Sequence, residues 1–441
     1  MNLLAAESGL LRILTLSDPN TRVVLLGSSL LGLACGVLGV FAVLRRRALI
    51  GDVIAHSALP GVCGAFLLWH DRSMPVLLGG GLVAGLLGVL CVHCIRRHTR
   101  IKEDAALAIV LSGFFGVGLV LSSLVQSLPT GAAAGLDTFI FGKAASMTRA
   151  DVAWTAGLAA VTLLVLVPLS KELQLLCFDR AFAAGLGRRT GVLDAVLFGM
   201  ITVCTIIGLP AAGAILVASL LIIPAAAARY WTERLAVLLF LSGVFGVLAT
   251  SSGALVSAAV PKLSAGPAMT IAAAIIFAVS AAFAPERGFA PAFWRRARLR
   301  RKIASQNLLR AVYELAESGD GPVVSRHALM LKRAWTDGQL HRLIERAIDA
   351  RTVEATGAGV LLTPKGLDAA RATVRTHRLW EAYLVAHADI APDHVDRDAD
   401  QIEHILSPEM IADLEARLAE DEPVPPSPHP VSRTGDRGVH A

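Results

Sequence analysis

The sequence predicts an all-α polytopic membrane domain followed by a soluble domain with a winged helix and further helices. Three observations predict it. First, 54% of the 441 residues are hydrophobic and mean hydropathy is +0.61, but the two halves differ. Long apolar runs extend to about residue 285, and a charged, mixed sequence begins at about 294. A membrane domain joined to a soluble one is the direct reading. Second, the basic clusters Arg45–Arg47, Arg96–Lys102 and Arg295–Lys302 flank apolar runs. That is the distribution of cytoplasmic anchors rather than of a nucleic-acid surface. Third, the second apolar run opens with Asp52 and His56, four residues apart and so on one helix face. Carboxylate and imidazole together ligate divalent transition metals. Ionisable groups inside a membrane helix are costly, which marks them as functional.

A spanning helix needs about 20 apolar residues. Candidate spans are 23–44, 52–70, 75–95, 104–126, 150–170, 189–208, 211–228, 234–252 and 263–284. Gly208, Pro210, Gly213 and Pro224 interrupt the pattern between 206 and 224, so eight and nine spans are both open. Broken helices of this kind line pathways, because irregular backbone is tolerated only where protein or water satisfies it. The basic loops favour an odd number, with the N-terminus outside and the C-terminus inside.

Met1–Thr21 lacks a basic n-region and reads as a short interfacial segment, not a cleavable signal. Ser127–Ser146 carries Gly131, Gly135, Gly142, Phe139 and Phe141 and reads as re-entrant or interfacial. Lys171–Gly187 reads as a polar cytoplasmic stretch with room for short helices, and Ser251–Gly266 as an external loop. The six cysteines all lie in the membrane half. Cys91-Val92-His93-Cys94 has no second ligand pair at finger spacing, so it reads as the end of an apolar helix.

In the soluble part, Leu308, Leu309, Val312 and Leu315 give Ser305–Glu317 a helical face. Pro322–Arg351 reads as helix–turn–helix, with Thr336 capping a second helix through Leu340, Leu343, Ile344 and Ile348. Val353–Thr363 reads as a β-hairpin turning at Gly357 and Gly359, which completes a winged helix. Pro364–Ala388 and Ser407–Ala419 follow as helices. The Pro-, Ser- and charge-rich Glu420–Ala441 is expected to be disordered. The domains are then 1–290 in the membrane, a basic linker at 291–302, a folded tail at 303–420 and a disordered end at 421–441.

Several segments, in this order, resemble the integral-membrane permease of metal-uptake ABC transporters. They are Arg47-Ala48-Leu49-Ile50-Gly51-Asp52-Val53-Ile54-Ala55-His56-Ser57-Ala58-Leu59-Pro60-Gly61; Arg100–Leu107; Gly135-Leu136-Asp137 with Phe141-Gly142; Phe178-Asp179-Arg180; and Leu220–Arg229. The resemblance covers roughly residues 10–285. It implies import of manganese, zinc or iron(II), with Asp52 and His56 at a metal-selective constriction and no tightly bound cofactor. It also implies a second permease subunit, identical or paired, an extracytoplasmic metal-binding protein, and ATP-binding subunits docking near Phe178, Asp179, Arg180 and Gly185. The chain has no phosphate-cradling G-x-x-x-x-G-K-[ST] loop, so ATP hydrolysis falls to a separate subunit. The setting implied is a bacterial inner membrane, with lipid around the spans and the tail in the cytoplasm.

The tail resembles the metal-dependent repressors of the diphtheria-toxin-repressor and manganese-repressor type across about 303–420. The residues that show it are Leu362–Gly366, His377-Arg378-Leu379-Trp380-Glu381, and Asp398–Ser407. The resemblance implies a helical dimerisation-type domain and metal ligands at His377, Glu381, Asp400, Glu403 and His404. It breaks on the first helix, where Asn307 and Arg310 stand in place of acidic ligands, and at Asp396, where some members carry a histidine.

Two plainer readings stand beside these. Asp near a helix N-terminus is favourable in itself, so Asp52 would cap the helix and His56 would be an interior histidine. Against this, His56 is the only ionisable side chain between Val53 and Trp69 apart from the Cys63 thiol. The chain would alternatively be a membrane-anchored, metal-responsive transcriptional regulator. Duplex affinity rests on neutralising phosphates, and the recognition helix offers Arg342 and Arg346 against Asp337 and Glu345. DNA is therefore not an expected partner. A secondary transporter would need no docking segment.

Overall fold

The computed structural model describes residues 18–45, 47, 49–70, 73–127, 142, 147–260, 263–319, 321–387, 409, 410 and 412. The chain divides into two units, Met1–Ala292 and Phe293–Ala441.

The regular structure of the first unit, among its described residues, is all helical: α1 (Pro19–Leu44), α2 (Ile50–Trp69), α3 (Met74–His98), α4 (Glu103–Gln126), α5 (Arg149–Phe178), α6 (Arg180–Gly185), α7 (Thr190–Ala212), α8 (Ala214–Arg229), α9 (Leu235–Ala259) and α10 (Ala265–Phe283). Eight of these are long and apolar enough to cross a membrane. The exceptions are α6, with six residues, and α8. The 16 residues of α8 reach only about 24 Å, short of a hydrocarbon core of about 30 Å. The chain breaks at Gly213, whose φ of 80° is a left-handed value that favours glycine. The interruption expected between 206 and 224 is therefore a break between two helices.

Sequence chemistry sets the helix ends. Asp18 caps α1 by accepting from the backbone N–H groups of Asn20 and Thr21. Thr148 and Asp151 form a reciprocal capping box at the start of α5. The core depends on close backbone approach, as expected where lipid gives no hydrophobic drive between helices. A Cβ on Gly61 would lie 2.1 Å from the Gly80 carbonyl oxygen, which brings α2 against α3. A Cβ on Gly39 would lie 1.9 Å from the Leu221 carbonyl oxygen, which brings α1 against α8. Ser242 of α9 donates to the Gly36 carbonyl of α1 at 2.6 Å.

Two expectations change here. The external loop expected at Ser251–Gly266 shrinks, because α9 continues to Ala259. Its Ser and Gly residues are helix-packing positions: Ser251 meets Ser29 at 2.8 Å, and a Cβ on Gly253 would lie 2.3 Å from the Met269 Cα. The basic segment at 291–302, expected as a linker, is helical and lies within α11 (Phe289–Ser318). Arg, Ala, Leu and Lys are good helix formers, and Pro291 falls in the first turn, where proline is tolerated.

The second unit continues with α12 (Arg326–Arg333), α13 (Asp337–Asp349), β1 (Val353–Thr356), β2 (Gly359–Leu362) and α14 (Pro364–His387). Ser325 caps α12, accepting from Ala328 N–H at 3.2 Å. Thr336 forms a capping box with Gln339 at the start of α13. The strands pair antiparallel from Val353↔Leu362 to Thr356↔Gly359. This is the helix–turn–helix and hairpin the sequence predicts, packed around Leu308, Val312, Leu329, Leu340, Ile344 and Val360. The re-entrant segment apart from 127 and 142, the last helix apart from 409, 410 and 412, and the C-terminal end lie outside the described residues.

Candidate functional site

α2 presents Asp52 in its first turn and His56 one turn later. The N-cap position is Leu49, which makes no side-chain cap, and the Asp52 carboxylate faces the imidazole instead. Asp52 Oδ1 lies 3.3 Å from His56 Nε2, with the two side chains 34% and 26% exposed. The ring of Phe115, on α4, stands edge-on to His56 with centroids 4.8 Å apart at 78°. His56 also lines a small cavity of about 20 Å³ with Leu59, Val62, Phe115, Leu209 and Ala214. That is about the room one water molecule needs. Leu209 lies in the last turn of α7 and Ala214 begins α8, so the helix break faces the histidine. Gly142, with φ 74°, sits at the same break, where a Cβ would lie 2.4 Å from the Ala212 carbonyl carbon.

Asp52 and His56 are two donors, and among the described residues no group of three His, Cys, Asp or Glu could hold a metal ion. Among the described residues that is fewer donors than the four of a conventional tetrahedral site.

The basic clusters do more than anchor. Arg45 Nη2 donates to Asp194 Oδ1 at 2.7 Å, and its Nη1 donates to the Leu176 carbonyl at 3.0 Å. Arg180 reaches the other Asp194 oxygen at 3.4 Å. Arg47 pairs with Glu103 at 2.5 Å, and Arg96 meets the same carboxylate at 3.1 Å. The Arg47 guanidinium also lies 4.7 Å above the Phe198 ring. The arginines thus tie the end of α1 and the start of α2 to α3, α4, α5 and α7. Sequence reasoning missed Asp194, although the signal was present: it is the only charged residue between Arg189 and Arg229.

The candidate docking segment forms a projecting corner. Asp179 ends α5 and caps α6, accepting from Phe182 N–H at 2.9 Å. Phe178 is 72% exposed, and Phe182 and Leu186 are exposed with it. A side chain at Gly185 would meet nothing within 4 Å.

In the tail, His377 lies on α14 and is buried. Glu381 follows one turn later on the same helix. Asp400, Glu403 and His404 lie outside the described residues. The partner His377 finds is Arg310 of α11, with Nη1 2.9 Å from Nδ1. Arg310 Nε donates to Glu314 at 2.5 Å, and Lys332 Nζ lies 3.1 Å from the other Glu314 oxygen. The buried Asn307 Oδ1 has no hydrogen-bond partner among the described residues. Burial pushes the Glu314 carboxyl up, but Arg310 and Lys332 outweigh it and hold it below its ordinary value. The one described imidazole of the expected ligand set thus has its Nδ1 face taken by a guanidinium.

The ABC 3 transport family matches residues 17–284. The chain belongs to the ABC 3 transport family. It is a multi-pass membrane permease with a repressor-like domain at its C-terminal end, since residues 363–425 match the iron dependent repressor, metal binding and dimerisation domain. It is 40% identical over 386 residues to the manganese transport system membrane protein MntC of Bacillus subtilis, covering 87% of this chain and 88% of that one. It is 42% identical over 255 residues to the zinc transport system membrane protein TroC of Treponema pallidum, covering 58% and 86%. Among solved structures it is similar to PsaBC from Streptococcus pneumoniae in complex with Fab. The TM-score is 0.56 and the identity 28%, over 65% of this chain and 97% of that one.

Proposed function

We propose that this permease imports a divalent transition-metal ion, manganese first, along a path that passes Asp52 and His56. The observation that carries the reading is the Asp52–His56 pair, 3.3 Å apart on α2, beside the α7–α8 break. A carboxylate with an imidazole suits manganese, and zinc and iron(II) use the same donors. The manganese and zinc relatives support this class of ion. The ion is cargo, and no resident cofactor is invoked.

Two donors are too few to hold an ion alone. A second copy on a twofold axis supplies two carboxylates and two imidazoles, or a paired permease fills that role. A conducting site must release what it binds, so a transient site is the useful one. The projecting corner at Phe178, Asp179, Arg180 and Gly185 receives a separate ATP-binding subunit, which supplies the ATP hydrolysis. An extracytoplasmic metal-binding protein delivers the ion on the other side. The setting is a bacterial inner membrane, crossed nine times if the short α8 counts as a span, with the tail in the cytoplasm as a regulatory module.

Uptake of radiolabelled manganese into proteoliposomes carrying the chain and its ATPase partner tests this. Asp52→Ala and His56→Ala are each expected to abolish most uptake while leaving insertion intact. Near-normal uptake in both variants rejects the pair as the pathway.

A further inference from the structure

The repressor-like domain matches a family described as metal-binding, yet Arg310 lies at the centre of the described part of the expected site. Its side chain is 4% exposed, and its Nη1 lies 2.9 Å from His377 Nδ1, a residue 67 positions away. A guanidinium has only donors, so Nδ1 must accept. That nitrogen has a single in-plane lone pair. An ion bound on it at about 2.1 Å would lie within about 1 Å of Nη1, so the two cations compete for one place. Arg310 is anchored there, because its Nε donates to Glu314 at 2.5 Å, a carboxylate that Lys332 also reaches. A second guanidinium spans the same two helices, with Arg378 of α14 donating to Glu317 of α11.

We propose that Arg310 is the tail's built-in cation: its guanidinium takes the place of a divalent ion beside His377 and closes the α11–α14 seam without metal. The tail is then a permanently assembled module rather than a metal sensor. This rests on the regulatory reading of the tail but not on Asp52 and His56, and the test separates the two. Asn307 agrees with it, since a neutral amide stands one turn before Arg310 where a metal site would want a carboxylate.

The test uses the full chain in lipid nanodiscs with Asp52→Ala and His56→Ala, which empties the proposed pathway. Hydrogen–deuterium exchange is followed in 303–319 and 370–387, with and without excess Mn²⁺, alongside Mn²⁺ counted by equilibrium dialysis. With Arg310 in place, no exchange change and no His377-dependent ion are expected. Arg310→Glu should bind one more Mn²⁺ per chain and gain about tenfold protection in both segments on adding it. Arg310→Met, which keeps apolar bulk, should exchange about tenfold faster with or without metal, the loss of a charge-assisted bond. An ion bound with Arg310 in place and lost on His377→Ala overturns the proposal. So does an Arg310→Met chain as protected as the parent, or a folded Arg310→Glu chain indifferent to Mn²⁺. Ions that persist in every variant, independent of His377, would point instead to a pathway site other than Asp52 and His56.

Discussion

Asp194 offers the sharpest test of how the candidate docking corner connects to the helices. Its carboxylate accepts from Arg45 of α1 at 2.7 Å and pairs with Arg180 of α6 at 3.4 Å, from a position in the first turns of α7. One anion therefore joins three elements. Asp194→Ala leaves Arg45 with only the Leu176 carbonyl. Removing one partner of a fully buried ion pair costs about 3–5 kcal/mol. Here the side chains keep 11% and 14% exposure, so some screening survives and about 2–3 kcal/mol is expected. In a domain of this size that corresponds to a loss of about 4–10 °C in melting temperature. Asp194→Asn keeps an acceptor but not the charge, and should lose about 1–2 kcal/mol. The double variant Arg45→Ala/Asp194→Ala should be less destabilised than the sum of the two single variants, because neither charge is then orphaned. Thermal unfolding of the purified permease gives the first readout. The ratio of ATP hydrolysed to manganese imported gives the second, and it should rise once α6 is detached from α1 and α7. An Asp194→Ala chain within about 0.5 kcal/mol of the parent, with the same ratio, would refute the linkage.

Other substitutions follow from the same geometry. Gly185→Trp should insert and fold normally, since its Cβ meets nothing within 4 Å, but should abolish co-purification with the ATPase; retained co-purification removes this corner from the interface. Gly39→Ala should destabilise the membrane unit by about 1–3 kcal/mol through overpacking, because its Cβ would lie 1.9 Å from the Leu221 carbonyl oxygen; an unchanged melting temperature contradicts the α1–α8 contact. Glu314, held below its ordinary 4.5, binds fewer protons folded than unfolded. The stability it contributes is present above that value and is lost as pH falls through the lower folded one. A pH series of the tail's thermal transition should show this acid-side loss, and Glu314→Gln should remove it.

Much of the membrane fold could be read in advance because hydropathy carries it. Apolar runs of the right length must become helices, since lipid leaves no other way to satisfy the backbone. The break at Gly213 could be placed for the same reason: Gly and Pro weaken a helix wherever they stand. What composition does not encode is where a helix stops once its polar residues find helical partners. Ser251 and Gly253 look like loop residues until Ser29 and Met269 meet them. The arginines of 295–302 look like a linker by charge, yet nothing in them stops a helix and they lie within α11.

The sites divide along the same line. Asp52 and His56 are neighbours in sequence, so helical spacing alone puts them on one face, and their 3.3 Å approach needs nothing from the rest of the chain. Arg45 and Asp194 are 149 residues apart, and Arg310 and His377 are 67 apart. Spacing says nothing about such pairs. What the sequence does hold is a chemical imbalance: a lone carboxylate in an apolar run, and an arginine on a buried helix face where an acidic residue was expected. Each is expensive unless something distant answers it. The carboxylate answers Arg45 and Arg180, so the exposed α5–α6 corner and the first helix share one charge. Arg310 answers His377 and Glu314, and the tail helices meet through a side chain of the chain itself instead of through an ion drawn from solution. A domain closed in that way has no metal-dependent opening at His377, so an ion bound there would not be the signal for any control it exerts on transport.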